Sequence, residues 1–494
     1  MEGQNLADQN TFLNSINWRK LAQEYQRKQP HKVAEKSNYY HVKSTVTGIP
    51  KLPHNLVLRN YQQQAVFNWL KNKGRGTLKM ATGSGKTITA LAIATELYQQ
   101  IGLNVLLVIC PFRHLVLQWA KEAEKFNLSP LLAFNSVNNW QSSLSIQLYN
   151  IHNHQQKFLT IITTNSTFLS QGFQTQLPFF PEKTLIVGDE AHNLGSQKLQ
   201  TSLPATIGLR LALSATPERF YDDHGTDALM DYFGQVLQPE FTLANAIQQK
   251  ALVHYNYHPI FVELTEFEAQ KYAQLTKKIG WELSRDDSRD NRYLTALLIR
   301  RSRLIGTATN KLEALKELMT PRLNTQGTLF YCGDGKTNYQ GKSERQLEAV
   351  TRLLGKELGY RVNIYTAKTS LEEREIVKKQ LQTGELQGLV AIRCLDEGID
   401  IPMIENAVIL ASSTNPRQFI QRRGRILRPH HGKQFATLFD MIVIPPDLER
   451  EVWEIERNLL QKELKRFIEF ANLANNAPEA RQKLLTLQHK FQLS

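Results

Sequence analysis

Thr77-Leu78-Lys79-Met80-Ala81-Thr82-Gly83-Ser84-Gly85-Lys86-Thr87-Ile88 decides the fold. A short strand-like lead-in ends in a glycine-rich turn, and a helical run follows over 88–97. Such a turn leaves backbone N–H groups converging on one spot, where the helix N-terminus adds partial positive charge; the spot suits a polyphosphate. Thr82, Gly83, Ser84 and Gly85 would form the cradle. Lys86 would reach the β- and γ-phosphates of ATP, and the Thr87 hydroxyl would hold Mg2+. A strict phosphate-loop pattern has a glycine where Met80 stands, so the stretch needs support from the rest of the chain.

That support begins with the surrounding rhythm. The runs 105–109, 159–162 and 185–187 are continuously apolar, as strands buried on both faces should be, and helical patterns such as 115–126 lie between them. A second series starts at Lys311, with strands expected at 328–332, 361–365, 388–392, 406–410 and 437–440 and helices at 344–358 and 372–382. The βαβ alternation, met twice, predicts an α/β protein with two tandem doubly wound parallel sheets. Between them lie an expected strand at 259–264 and a helix at 265–279 capped by Thr265 with Glu268 as its capping-box partner. A charged loop at 284–290 and an arginine-rich helix at 293–305 follow. The expected organisation is an N-terminal accessory segment (1–52), a first α/β domain (53–240), a second (241–447) with a helical insert near 265–310, and C-terminal helices (448–494).

At 494 residues the chain is too long for a single core. The 41% hydrophobic and 21% charged residues belong to a globular protein rather than a disordered one. The 60 Lys and Arg outnumber the 46 Asp and Glu, giving a net charge of +14; this fits either a solvated basic surface or a phosphate-rich polymer as partner. Cys110, Cys332 and Cys394 are far apart and show no CxxC spacing, so neither a disulfide framework nor a zinc ribbon is expected, and a reducing cytoplasm fits. No signal-peptide pattern and no apolar run of ~20 residues occurs, so no membrane is expected as a partner. Near the N-terminus, Phe12, Leu13, Ile16, Trp18, Leu21, Ala22 and Tyr25 form a rough helical stripe. The basic and aromatic stretch 31–43 would either bind single strands or pack as a surface strand.

Three further stretches carry chemistry. Val187-Gly188-Asp189-Glu190-Ala191-His192 puts an acidic pair at the carboxyl end of an apolar strand, where a doubly wound sheet places its ligand. Asp189 would hold Mg2+, and Glu190 would orient or deprotonate an attacking water. Leu213-Ser214-Ala215-Thr216-Pro217 follows the next strand, with hydroxyls able to bond that pair and report nucleotide state. Gln421-Arg422-Arg423-Gly424-Arg425-Ile426-Leu427-Arg428 gathers arginines around a glycine, and Arg425 and Arg428 share a face if helical. That spacing suits fingers that reach a γ-phosphate. Upstream, Arg59 and Gln62 open a helix, and a glutamine amide can match adenine's N6 and N7.

In this order the stretches resemble the motifs of superfamily 2 helicases and translocases, over residues 56–445. Arg59 and Gln62 look like the Q motif and Ala81 to Thr87 like motif I. Pro111 to Trp119 is similar to motif Ia, with Phe112 in place of the commoner Thr and Arg113 as the substitute contact. Thr163-Thr164 is similar to motif Ib, Asp189 to His192 spells the DEAH form of motif II, and Ser214-Ala215-Thr216 looks like motif III. Phe330-Tyr331-Cys332 resembles motif IV, the stretch from Arg393 through Gly398 and Asp400 motif V, and Gln421 to Arg428 motif VI. The spelling is closest to the DNA-directed branch: DEAD-box RNA helicases carry Asp in place of His192 and His in place of Gln421. The resemblance implies two RecA-like domains and an ATP-driven motor on DNA. Gly398 and Asp400 would serve the nucleotide, and His192, Ser214, Thr216 and Gln421 would couple hydrolysis to movement. Arg113, Thr164, Cys332 and Arg393 would line the nucleic-acid track, and partner subunits of a repair or defence system are possible companions. An RNA helicase, the motor chain of a multi-subunit restriction nuclease and a non-catalytic nucleic-acid scaffold remain as alternatives.

Overall fold

The computed structural model describes residues 12–28, 48–218, 222–284, 292–366, 369–392, 401, 403–411, 424–446 and 450–492. The chain divides into two units, Met1–Asn245 and Ala246–Ser494.

The first unit carries helices α1 (Trp18–Lys28), α2 (Asn60–Lys71), α3 (Lys86–Ile101), α4 (Arg113–Lys125), α5 (Gln141–His152) and α6 (Asp223–Phe233). Its strands are β1 (Arg75–Lys79), β2 (Val105–Cys110), β3 (Pro130–Ala133), β4 (Leu159–Thr164), β5 (Thr184–Asp189) and β6 (Leu209–Ser214). They form one sheet in the order β1-β6-β5-β2-β4-β3, every pair parallel. All residues of β2, β4, β5 and β6 are buried, so both sheet faces are covered, which is why these strands are apolar without alternation. Leu107, Ile161 and Ile186 share a core with Trp140, Phe168 and Phe173. The described part of the expected accessory segment is integral to this unit. Trp18, Leu21, Ala22 and Tyr25 of α1 are buried, and Lys28 pairs with Glu96 of α3 at 3.0 Å. Gly74 makes room for α1: its φ is +73°, and a Cβ there would lie 2.6 Å from the Trp18 ring.

The second unit contains β7 (His254–Glu263), α7 (Glu266–Leu283), α8 (Arg292–Gly306), α9 (Asn310–Met319), β8 (Thr328–Tyr331), β9 (Lys336–Tyr339), β10 (Lys342–Arg345), α10 (Gln346–Arg352), β11 (Val362–Tyr365), α11 (Leu371–Thr383), β12 (Gly388–Ala391), β13 (Asn406–Ile409), β14 (Phe435–Ile444), α12 (Arg450–Leu473) and α13 (Ala477–Lys490). Its six-stranded parallel sheet runs β11-β12-β8-β13-β14-β7. Two expectations need correcting. The helix expected from Glu344 starts at Gln346, because Glu344 belongs to an antiparallel hairpin of β9 and β10 and is held there by Arg352 at 2.7 Å. The strand expected at 437–440 extends over the whole of β14, paired residue for residue with β7.

β7 is an edge strand, and the C-terminal helices cover it. Asn476 donates to the Tyr257 carbonyl (3.0 Å) and accepts from its N–H (2.8 Å), as a neighbouring strand would. Below, α7 and α8 are fastened to α12 by a buried cluster: Arg301 donates to Glu456 at 3.1 Å, and the Tyr272 hydroxyl donates to the same carboxylate at 2.5 Å. Gly280 lets α12 come close, since a Cβ there would lie 2.0 Å from Ile455.

Candidate functional site

β1, β6 and β5 are neighbours, so their carboxyl ends present the glycine-rich loop, Ser214 and Asp189 side by side. The loop is tied in by backbone bonds from Met80 N–H to the Ser214 carbonyl (3.0 Å) and from Ala81 N–H to the Phe241 carbonyl (2.8 Å). Gly83 (φ +84°) and Gly85 (φ +86°) take the left-handed conformation that other residues adopt at a cost. A Cβ on Gly85 would lie 2.6 Å from the Gln62 amide nitrogen. Lys86 opens α3, nearly buried, with Nζ donating to the Met80 carbonyl at 3.2 Å. The hydroxyls of Thr82 and Ser84 are buried and have no hydrogen-bond partner among the described residues. Unpaired buried hydroxyls cost about 1–3 kcal/mol each. A ligand rich in oxygen atoms would supply the missing partners, so these residues fit a polyphosphate.

At the end of β5, Asp189 is a buried carboxylate whose oxygens both accept: Oδ2 from Trp119 Nε1–H (2.8 Å) and Oδ1 from the Glu190 N–H (3.0 Å). Burial, with the adjacent Glu190 charge, pushes its pKa up to about 6; the Trp119 bond and the Lys86 ammonium pull the other way. Glu190 has φ +45°, a strained setting for a non-glycine residue, and its carbonyl is held by Asn193 through N–H (2.9 Å) and Nδ2 (3.1 Å). His192 Nδ1 lies 3.6 Å from Glu190 Oε2 and 3.3 Å from Ser214 Oγ, and Ser214 Oγ accepts from the Thr216 N–H at 3.1 Å. One hydrogen-bonded line thus runs from the acidic turn to the end of β6, and from there through Met80 to the loop. Trp119 and Tyr61 carry functions the sequence did not single out. The Tyr61 hydroxyl donates to the Ser84 carbonyl at 2.6 Å, and its ring stacks on Phe241 at 3.7 Å between centroids. Both partners lie far away in sequence, and no local pattern announces them.

The remaining expected residues sit as follows. Gln62 is buried; its amide accepts from the Arg59 N–H (3.0 Å) and donates to the Gly85 carbonyl (3.3 Å), so it braces the loop as well as starting α2. Arg59 is exposed, Thr87 is half-buried beside Lys86, and Arg113 is exposed at the first turn of α4. Thr164 is buried, its Oγ1 accepting from the Thr167 N–H at 3.2 Å. Cys332 requires a correction: its side chain belongs to the second unit's core, with burial pushing the thiol up, so only its backbone can meet a ligand. In that unit Arg425 is nearly buried and Arg428 half-buried on one turn, which Lys433 steadies by donating to the Ile404 and Ile426 carbonyls, each at 2.5 Å. Arg393, Gly398, Asp400 and Gln421, with the basic stretch 31–43, lie outside the described residues.

A phosphate loop with an acidic pair on a parallel sheet, followed by a second parallel sheet with an arginine turn, defines a two-domain nucleotide-hydrolysing motor protein. Comparison makes the class specific. Residues 55–219 match the type III restriction enzyme res-subunit family and 310–430 the helicase conserved C-terminal domain. The chain is thus similar to superfamily 2 helicases across both sheets, and it is an ATP-hydrolysing enzyme. It is 28% identical over 390 residues to the DNA 3'-5' translocase XPB2 of Sulfurisphaera tokodaii, covering 77% of this chain and 80% of that one. To the putative DNA 3'-5' helicase Rad25 of Halobacterium salinarum it is 27% identical, covering 76% of this chain and 53% of that protein. The ATP-dependent type ISP restriction-modification enzyme LlaBIII, solved bound to DNA, shares the fold: TM-score 0.53 at 19% identity, covering 85% of this chain and 30% of that one.

Proposed function

We propose that this protein is a DNA translocase or helicase that spends ATP hydrolysis on movement along DNA, in the 3'-5' sense named for its relatives. The carrying observation is the juxtaposition at the ends of β1, β6 and β5 of an anion cradle, a hydroxyl relay and a carboxylate pair. On this reading the loop N–H groups, the Thr82 and Ser84 hydroxyls and Lys86 bind the phosphates of ATP. Thr87 and Asp189 would hold Mg2+, which supplies charge neutralisation at the phosphates when bound. Glu190 orients the attacking water and accepts its proton. His192 and Ser214, bonded to each other and to the loop through the Ser214 carbonyl, relay the state of the acidic turn. Arg425 and Arg428 serve as the cationic fingers that stabilise charge in the transition state, Gly398 and Asp400 serve the nucleotide, and Gln421 couples hydrolysis to movement. Arg113, Thr164 and Arg393, with the backbone at Cys332, contact phosphate and sugar, so binding is largely independent of base sequence. The net charge of +14 supports a polyanionic partner. A motor chain within a larger restriction or repair assembly is the second reading, favoured by the res-subunit family match over 55–219.

The test is ATP turnover with no nucleic acid, single-stranded DNA, duplex DNA and RNA. Severalfold stimulation by DNA is expected. Stimulation by RNA alone, or by nothing, would overturn the proposal.

A further inference from the structure

In the second unit, lined by none of the residues assigned above, α7 and α8 flank a groove of about 400 Å³ closed at one end by the Gly335–Lys336 turn. Five of its lining side chains are cationic (Lys271, Lys278, Arg300, Arg303 and Lys336), all exposed, and among the described residues no lining residue is acidic. Five like charges gathered along one groove repel one another, and an anion seated there would relieve that repulsion. Helical spacing sorts the residues. On α7 Phe267, Lys271 and Lys278 fall on one stripe, and on α8 Tyr293, Arg300 and Arg303 fall on another. Arg301, off that stripe, points inward to Glu456. Phe267 and Tyr293 are 65% and 54% exposed, aromatic surfaces that water alone does not favour. The Lys271 ammonium lies 3.9 Å from the Phe267 ring centre.

The groove is stiff. Behind it, the buried Arg301–Glu456–Tyr272 cluster fixes both helices to α12. Its closed end is fixed by Gln346, which accepts from the Gly333 N–H (2.6 Å) and donates to the Gly306 carbonyl (2.9 Å). Gly333 and Gly335 allow that closure, since a Cβ on either would come within 3.1 and 2.9 Å of the Thr307 methyl. This end adjoins the carboxyl end of β8, the strand ending in Tyr331-Cys332.

We infer that this groove is a second grip on nucleic acid, taking the phosphodiester backbone between the two helices with bases free to stack on the flanking aromatic rings. Acidic protein fits less well, because exposed aromatic rings beside a row of cations offer bases a stacking surface next to the phosphates. The inference rests on the DNA reading above. It is tested by DNA binding of the full chain across a salt series, wild type against Lys278→Ala/Arg300→Ala/Arg303→Ala. All three side chains are exposed, so melting should be unchanged; the single Lys278→Ala variant serves if the triple one melts early. The expected result is a shallower salt dependence for the triple variant, by about 2–3 in the slope of log K against log salt, and about tenfold or more weaker binding at ~0.1 M salt. The single variant should lose about one unit of slope. A wild type that binds no DNA would sink both readings. A wild type that binds steeply, with variants matching it in slope and affinity, would overturn the groove alone.

Discussion

Asp189 illustrates how one buried carboxylate is kept usable. Its environment pushes it up to about 6, and in the proposed role it holds a cation only when ionised, so activity should fall as pH drops through that value. The Trp119 indole stabilises the ionised form at 2.8 Å. A hydrogen bond to a charged group is worth about 1.5–3 kcal/mol, and about 1.4 kcal/mol corresponds to one pH unit. Trp119→Phe should therefore move the acidic limb of kcat/KM for ATP upward by about one unit or more. An unmoved limb in the pH profile would remove Trp119 from this role. The residue scale also shows the reach of the sequence. Lys86, Asp189, Glu190 and Ser214 were legible because each follows a strand end at a fixed offset. Trp119 was not, because its partner is 70 positions away and only the packing of α4 brings them together. Cys332 misled for the same reason: its place in a motif said nothing of which way its side chain faces.

At the scale of elements, the strands most readily found were those buried on both faces, such as β2 and β5, whose apolar runs have no alternation to blur. The β9–β10 hairpin escaped because Glu344-Arg345-Gln346-Leu347 is good helix sequence, and its turn uses Gln340 and Gly341 (φ +54° and +76°) rather than a familiar Asn-Gly pair. The helical layer of the second unit depends on the buried pair Arg301–Glu456. Removing one member of a buried pair costs about 3–5 kcal/mol where the other charge is left alone, whereas replacing both by apolar residues is often close to neutral; here Glu463, 3.4 Å from Arg301, stays as a second partner, so the lower end applies. Glu456→Leu should thus lower stability by about that amount in denaturant unfolding, and Arg301→Met/Glu456→Leu should regain most of it. A double variant as unstable as the sum of its singles would show the pair to be worth more than its desolvation.

For the whole molecule, two parallel sheets recur in one chain, and chemistry is divided between them: the cradle and acids on the first, the arginine turn and a cationic groove on the second. Their order was legible because βαβ rhythm and motif spacing persist through the chain. The groove was not, since Arg300, Arg301 and Arg303 look alike in sequence and only packing sends Arg301 inward. If ATP hydrolysis drives movement, work must appear on the DNA itself. The most direct measurement is displacement of a third strand from a triplex placed on duplex DNA. The wild type with ATP should release the third strand, and Glu190→Gln should bind the same DNA and release none. DNA-stimulated ATP hydrolysis by the wild type with no strand released would contradict translocation.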